Sequence, residues 1–100
     1  MNLEVMTANN GHEAILLSVE LTPDLILMDI KMPVLDGFEV VRILKTRLDT
    51  SPIPIIALTA SPTREEKEAA LMSGFAGYLA KPLDLDSLLA VITQLEKQLT

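Results

Sequence analysis

The chain of 100 residues contains no cysteine. This excludes a disulfide framework, a thiolate zinc site and a cysteine nucleophile, and it is compatible with a reducing compartment. Tryptophan is also absent, and the only aromatic residues are Phe38, Phe75 and Tyr78. The core must therefore be aliphatic and closely packed. Positive charge is scarce: 8 basic against 14 acidic side chains leave a formal net charge of −6. General nucleic-acid binding draws most of its affinity from cationic contacts to phosphate, so no nucleic acid is expected as a partner. Long hydrophobic runs are missing too. The longest aliphatic stretch, Leu88-Leu89-Ala90-Val91-Ile92, is far short of the roughly 20 residues that span a bilayer. No basic segment precedes an apolar stretch near Met1, so neither a signal peptide nor membrane association is expected, and the expected location is cytoplasmic.

Apolar residues make up 49% of the chain, too many for a disordered segment. They fall into two alternating patterns. Four short runs have strand character: Leu3–Thr7, Leu25–Met28, Ile55–Leu58 and Tyr78–Ala80. The second and third are continuously apolar, as strands buried on both faces of a parallel sheet tend to be. The first contains Glu4 and suits an edge. Between these runs the apolar residues recur at helical spacing, as Ala14, Leu17 and Leu21, then Val41, Leu44 and Leu48, and finally Leu88, Ile92, Leu95 and Leu99. Glu65–Ser73 is helix-prone, with Thr63 and Glu66 at capping-box spacing and Gly74 placed to close the C-terminus. Asp84 is placed to cap the last helix. The pattern predicts a single α/β domain over residues 1–100, with four strands each followed by a helix and a parallel sheet between helical layers.

In such sheets ligands bind beyond the carboxyl ends of the strands. The second strand ends in Asp29, the third in Thr59-Ala60 and the fourth in Lys81-Pro82. A carboxylate, a hydroxyl and an ammonium are thus expected on one rim. No histidine lies near them, since His12 opens the first helix, and neither a Gly-x-Ser-x-Gly elbow nor a Gly-rich phosphate loop is present. The trio suits a carboxylate that attacks phosphorus, giving an aspartyl phosphate whose oxygens the lysine and hydroxyl hold. Each residue also has a plain structural reading: Asp29 as a turn residue, Thr59 as a β-branched strand residue, Lys81 as a solvated charge. Met28, Met32 and Met72 read as core fillers, His12 as a surface residue, and Arg64–Glu68 as a solvated helix face.

The segment Pro23-Asp24-Leu25-Ile26-Leu27-Met28-Asp29-Ile30-Lys31-Met32-Pro33-Val34-Leu35-Asp36-Gly37 closely resembles the phosphoacceptor region of response-regulator receiver domains, the CheY-like family. Ile53–Ala60 and Gly74–Pro82 match further blocks in order and spacing. The resemblance implies a flavodoxin-like fold with the family's strand order 2-1-3-4-5. It implies a non-enzymatic signalling module of a two-component phosphorelay. Asp29 would accept a phosphoryl group from a histidine kinase, a phosphotransfer protein or a small phosphodonor. Thr59 and Lys81 would bind its oxygens, and Tyr78 would be the rotameric switch. Asp29 and the backbone carbonyl of Lys31 would coordinate Mg²⁺. Lys81-Pro82 would be a cis peptide bond, and Gly37 would let its loop approach the site.

One feature of the family is not found. Members carry an adjacent acidic pair at the end of a first strand, upstream of the acceptor, and Glu4, Glu13, Glu20 and Asp24 include no such pair. The expectation is a truncated receiver domain lacking the N-terminal βα unit, with Mg²⁺ binding weakened or absent. In the inherited order the missing strand is central, so one edge of Leu25–Met28 would be open and would invite a homodimer by edge pairing or swapped elements. The alternatives are a degenerate receiver that acts as a non-phosphorylated interaction module, or a fragment of a longer response regulator or hybrid kinase.

Overall fold

The computed structural model describes residues 4–8, 10–30, 37–60 and 63–99, with side chains to residue 97. Each apolar run forms a strand and each helical repeat a helix: β1 (Val5–Ala8), α1 (Gly11–Leu21), β2 (Leu25–Asp29), α2 (Gly37–Thr46), β3 (Ile55–Thr59), α3 (Arg64–Ser73), β4 (Gly77–Ala80) and α4 (Leu85–Leu99). The strands form one parallel sheet in the order β1-β2-β3-β4. The Lys81-Pro82 peptide bond is cis.

The period-2 alternation of strands divides the core into two layers. Met6, Ile26, Met28, Ile55 and Ala57 pack with Ala14, Val40, Val41, Leu44 and Ala70 beneath α1, α2 and α3. Leu25, Leu27, Ile56 and Leu79 point to the other side, against Leu88, Val91, Ile92 and Leu95 of α4. Three helices therefore cover one face and a single helix covers the other. Val5, on the α4 side of β1, is 41% exposed. The side chain of Leu99 and all of Leu3 lie outside the described residues.

The open edge expected on Leu25–Met28 is not observed. β2 is bonded on both sides, with Val5 opposite Leu25 and Ala8 opposite Met28 on one flank and β3 on the other. An unpaired row of backbone groups on an apolar central strand is costly, and β1 with its crossover helix is the nearest parallel partner. The start of the pair is clamped. Asp24 Oδ2 accepts from the Glu4 N–H at 2.8 Å, and the Asp24 and Leu25 N–H groups donate to the Glu4 carbonyl. The sheet edges are β1 and β4.

Helix faces differ from the hydrophobic repeats in three places. α1 turns Gly11, Ala14 and Ser18 to the core and leaves Leu21 52% exposed. Small side chains let the helix lie close, and the Ser18 hydroxyl is satisfied by donating to the Ala14 carbonyl at 2.5 Å. α2 stops at Thr46, so Leu48 is on the following turn, 95% exposed. Thr50 is buried instead, donating to the Leu44 carbonyl, while the Lys45 ammonium bonds the carbonyls of Ser51 and Ile53. Partial burial lowers the pKa of Lys45. Met28 is fully buried as expected, but Met72 is 88% exposed on α3, and Met32 lies outside the described residues.

The expected helix ends are present. Thr63 caps α3 by accepting from the Glu66 N–H, and Gly74 closes it at φ 116°. Asp84 caps α4 by accepting from the Ser87 N–H at 2.7 Å and from its hydroxyl at 2.9 Å. Phe75, just past Gly74, meets Phe38 edge-to-face with ring centroids 6.1 Å apart, tying α2 to the α3–β4 turn.

Candidate functional site

Register brings the three predicted groups together. Asp29 ends β2 opposite Leu58, and Thr59 ends β3 opposite Ala80. Beyond the ladder, the Ile30 N–H donates to the Leu58 carbonyl at 3.2 Å and the Lys81 N–H to the Thr59 carbonyl at 2.8 Å. The three strand ends are thereby held level. Between them lies a cleft of about 140 Å³ lined by Asp29, Ile30, Leu58, Thr59, Ala60, Glu66 and Lys81.

Strand parity decides which side each group approaches from. Asp29 and Lys81 share parity with Leu27 and Leu79, on the α4 side, and they meet: Lys81 Nζ lies 2.5 Å from Asp29 Oδ2. Thr59 and Tyr78 have the opposite parity and belong to the side that carries α3. The Thr59 hydroxyl donates to Oε1 of Glu66, in the first turn of α3. Tyr78 is half-buried, with Lys67 Nζ 4.8 Å from the centre of its ring, within cation–π range.

Gly37 packs against the backbone that carries Asp29. Its N–H donates to the Ile30 carbonyl at 2.8 Å, and a Cβ there would lie 2.7 Å from the Asp29 carbonyl oxygen. The first residue of α2 thus rests directly on the backbone that carries Asp29. His12 is exposed on α1 and is not part of the cleft lining. Lys31, expected to offer a carbonyl to a metal, lies outside the described residues.

Glu66, expected at capping-box spacing from Thr63 and within a solvated charge run, lines the cleft. In a full capping box its carboxylate would return to the Thr63 N–H. It reaches the strand end instead. The only available signal was its position three residues after a capping threonine, one helical turn from the rim. Arg64 and Glu68 do behave as a solvated pair, 3.2 Å apart and largely exposed.

Chemically, the site offers one carboxylate oxygen as nucleophile, an ammonium and a hydroxyl as donors to an anion, and no imidazole base among its lining residues. Mg²⁺ prefers near-octahedral oxygen coordination and commonly uses one or two carboxylates with water and phosphate. Among the described residues no group of three acidic or histidine side chains converges, the Asp29 carboxylate is paired with Lys81, and Glu66 is engaged by Thr59. Within the cleft, Asp29 and Glu66 are the carboxylates that could meet such an ion.

Comparison with known proteins bears on the family and the fold. A sequence model of the response regulator receiver domain matches residues 1–93. The probable transcriptional regulator ycf29 of Pyropia yezoensis is 41% identical over 91 residues, covering 91% of this chain. The chain spans 41% of that relative's length. Among solved structures, the receiver domain of the sensor histidine kinase PA1611 from Pseudomonas aeruginosa aligns with a TM-score of 0.82 at 25% identity, covering 94% of this chain and 97% of that one. In that structure Mg²⁺ is coordinated in the active-site cleft. The receiver domain of Ssk1 from Saccharomyces cerevisiae, crystallised with the histidine phosphotransfer protein Ypd1, aligns with a TM-score of 0.77 at 27% identity, covering 93% and 90% of the two chains.

Proposed function

Because this chain belongs to the response regulator receiver domain family, we propose that Asp29 accepts a phosphoryl group and that Thr59 and Lys81 hold it. A carboxylate oxygen of Asp29 attacks phosphorus, and the bond from phosphorus to the donor breaks with its electron pair left on the donor. The product is an acyl phosphate on Asp29. The Lys81 ammonium, already 2.5 Å from the Asp29 carboxylate, and the Thr59 hydroxyl donate to the phosphoryl oxygens. The observation that carries this reading is the convergence of the three groups on one cleft from three adjacent strands.

The phosphoryl group adds about 1.5 to 2 negative charges and shifts the balance between two conformations. Tyr78 is the switch residue of this reading, on the same sheet face as Thr59 and beside Ala57 in register. The phosphodonor is a histidine kinase or a phosphotransfer protein, the latter supported by likeness to Ssk1 in its complex with Ypd1. The module is a signalling domain with no metabolic reaction of its own, and its setting is the cytoplasm. No helix among the described residues is long and apolar enough to cross a membrane. Mg²⁺, where supplied, would meet Asp29 as its one carboxylate ligand among the trio, and the family's wider coordination is weakened. Self-association belongs to the edge of β1 rather than β2, where Val5 and Thr7 are exposed on the thinly covered face.

The test is incubation with acetyl phosphate in excess Mg²⁺, followed by intact mass. The expected result is one added phosphoryl group on the wild type and none on Asp29→Asn. Equal labelling of both, or labelling of neither, contradicts the reading.

A further inference from the structure

The contact between Thr59 and Glu66 has a consequence for how the site is switched. A threonine hydroxyl has a single proton to donate. Here it is donated to the Glu66 carboxylate, so the same hydroxyl cannot donate to a phosphoryl oxygen on Asp29 until that bond is released. The two acceptors lie on one cleft, since Glu66 and Asp29 both line it. They also carry charge of the same sign, so an added phosphoryl group opposes Glu66 as well as competing with it.

The next residue on α3 extends the contact. Lys67 stands over the Tyr78 ring, so successive residues in the first turn of α3 touch the hydroxyl at the end of β3 and the aromatic ring on β4. The helix start is anchored independently, through Thr63 and the Glu66 N–H. Losing the Glu66 carboxylate therefore removes the contact with Thr59 without removing the cap.

We propose that Glu66 is a latch for the unphosphorylated state: it holds the Thr59 hydroxyl away from the phosphoryl position and so sets how readily the phosphorylated arrangement forms. The latch rests on the phosphoacceptor reading of Asp29. Glu66 is a positioning residue, acting through Thr59, and the energy it withholds is that of a hydrogen bond to a charged acceptor.

Beryllofluoride, a phosphoryl mimic, gives a direct test in Mg²⁺ buffer. Fluorine NMR reads the bound ligand. Intrinsic fluorescence reads Tyr78 alone, because the chain has one tyrosine and no tryptophan. Glu66→Ala is expected to lower the beryllofluoride concentration at half-saturation by roughly tenfold, the scale of a released charge-assisted hydrogen bond. Glu66→Gln removes the same charge but keeps an acceptor oxygen, so its gain is smaller. With Thr59→Val in the background, the alanine and glutamine variants are expected to coincide. Tyr78 emission should change at correspondingly lower ligand concentration in Glu66→Ala.

Binding by Glu66→Ala no tighter than by the wild type overturns the latch, and so does an advantage over Glu66→Gln that survives Thr59→Val. Both results leave Asp29 as the acceptor. A wild-type chain that binds no more beryllofluoride than Asp29→Asn contradicts the acceptor reading itself, and the latch falls with it.

Discussion

At Gly37 a single hydrogen in place of a methyl group lets α2 rest on the backbone of Asp29 and Ile30. A Cβ would meet the Asp29 carbonyl oxygen at 2.7 Å and the Ile30 Cα at 2.9 Å, both of them backbone atoms that cannot turn aside. Gly37→Ala is expected to destabilise the fold by about 1–3 kcal/mol, the usual cost of overpacking, and to lower phosphorylation of Asp29 by displacing it. Urea denaturation with unchanged slope and a lower midpoint would show the first effect. An alanine variant as stable as the wild type would contradict the packing argument. The residues of the candidate site differ in how legible they are in the sequence for a related reason. Asp29, Thr59 and Lys81 could be placed from the sequence because parallel strands deliver their last residues to one rim, whatever the details of packing. Glu66 could not, because its role depends on a side-chain direction across the β3–α3 turn, and in sequence it sits among other charged residues. Met72 and Leu48 failed for the converse reason. Hydrophobic character says that a side chain gains from burial, but where a helix stops and which way it rolls are decided by neighbours.

Helices α3 and α4 both begin at side-chain N-terminal caps, and these give predictions at the scale of elements. Thr63→Ala removes the side-chain acceptor for the Glu66 N–H and is expected to cost about 1 kcal/mol of stability. Because Glu66 leaves from the same turn, that variant should also loosen its hold on Thr59. Asp84 gives a pH signature. Hydrogen bonds from the Ser87 N–H and hydroxyl hold its carboxyl below the usual carboxylate range. The folded state then binds a proton less readily than the unfolded chain, so this contribution is fully present above about pH 4 and is lost as pH falls through the folded value. Thermal melts between neutral and acid pH should show less acid loss in Asp84→Asn than in the wild type. An identical acid profile would count against the cap. The caps were legible from local spacing alone, since capping is chemistry between residues a few positions apart. The pairing of β1 with β2 was not. Inheriting the strand order from the family left a gap between them, whereas the unsatisfied backbone of β2 is met directly by β1.

The whole molecule is lopsided: three helices over one face and α4 alone over the other, with β1 only partly covered. On this account the chain associates with itself through β1 and the adjoining surface at micromolar concentration. Light scattering at a monomeric mass, with unchanged unfolding on dilution, would contradict that. Mg²⁺ gives a second check at this scale. On the proposal that the family's wider Mg²⁺ coordination is weakened here, calorimetry should show weak Mg²⁺ binding, and a well-defined high-affinity site would contradict it. The central claim is narrower than either. It is the proposal that, of 14 acidic side chains in the chain, Asp29 alone accepts the phosphoryl group, with Thr59 and Lys81 holding it. Peptide mapping by tandem mass spectrometry after acetyl phosphate treatment and borohydride trapping tests this directly. Modification at Asp29 alone is expected, reduced in Thr59→Val and Lys81→Ala. Modification spread over several carboxylates, or concentrated at any other one, would contradict it.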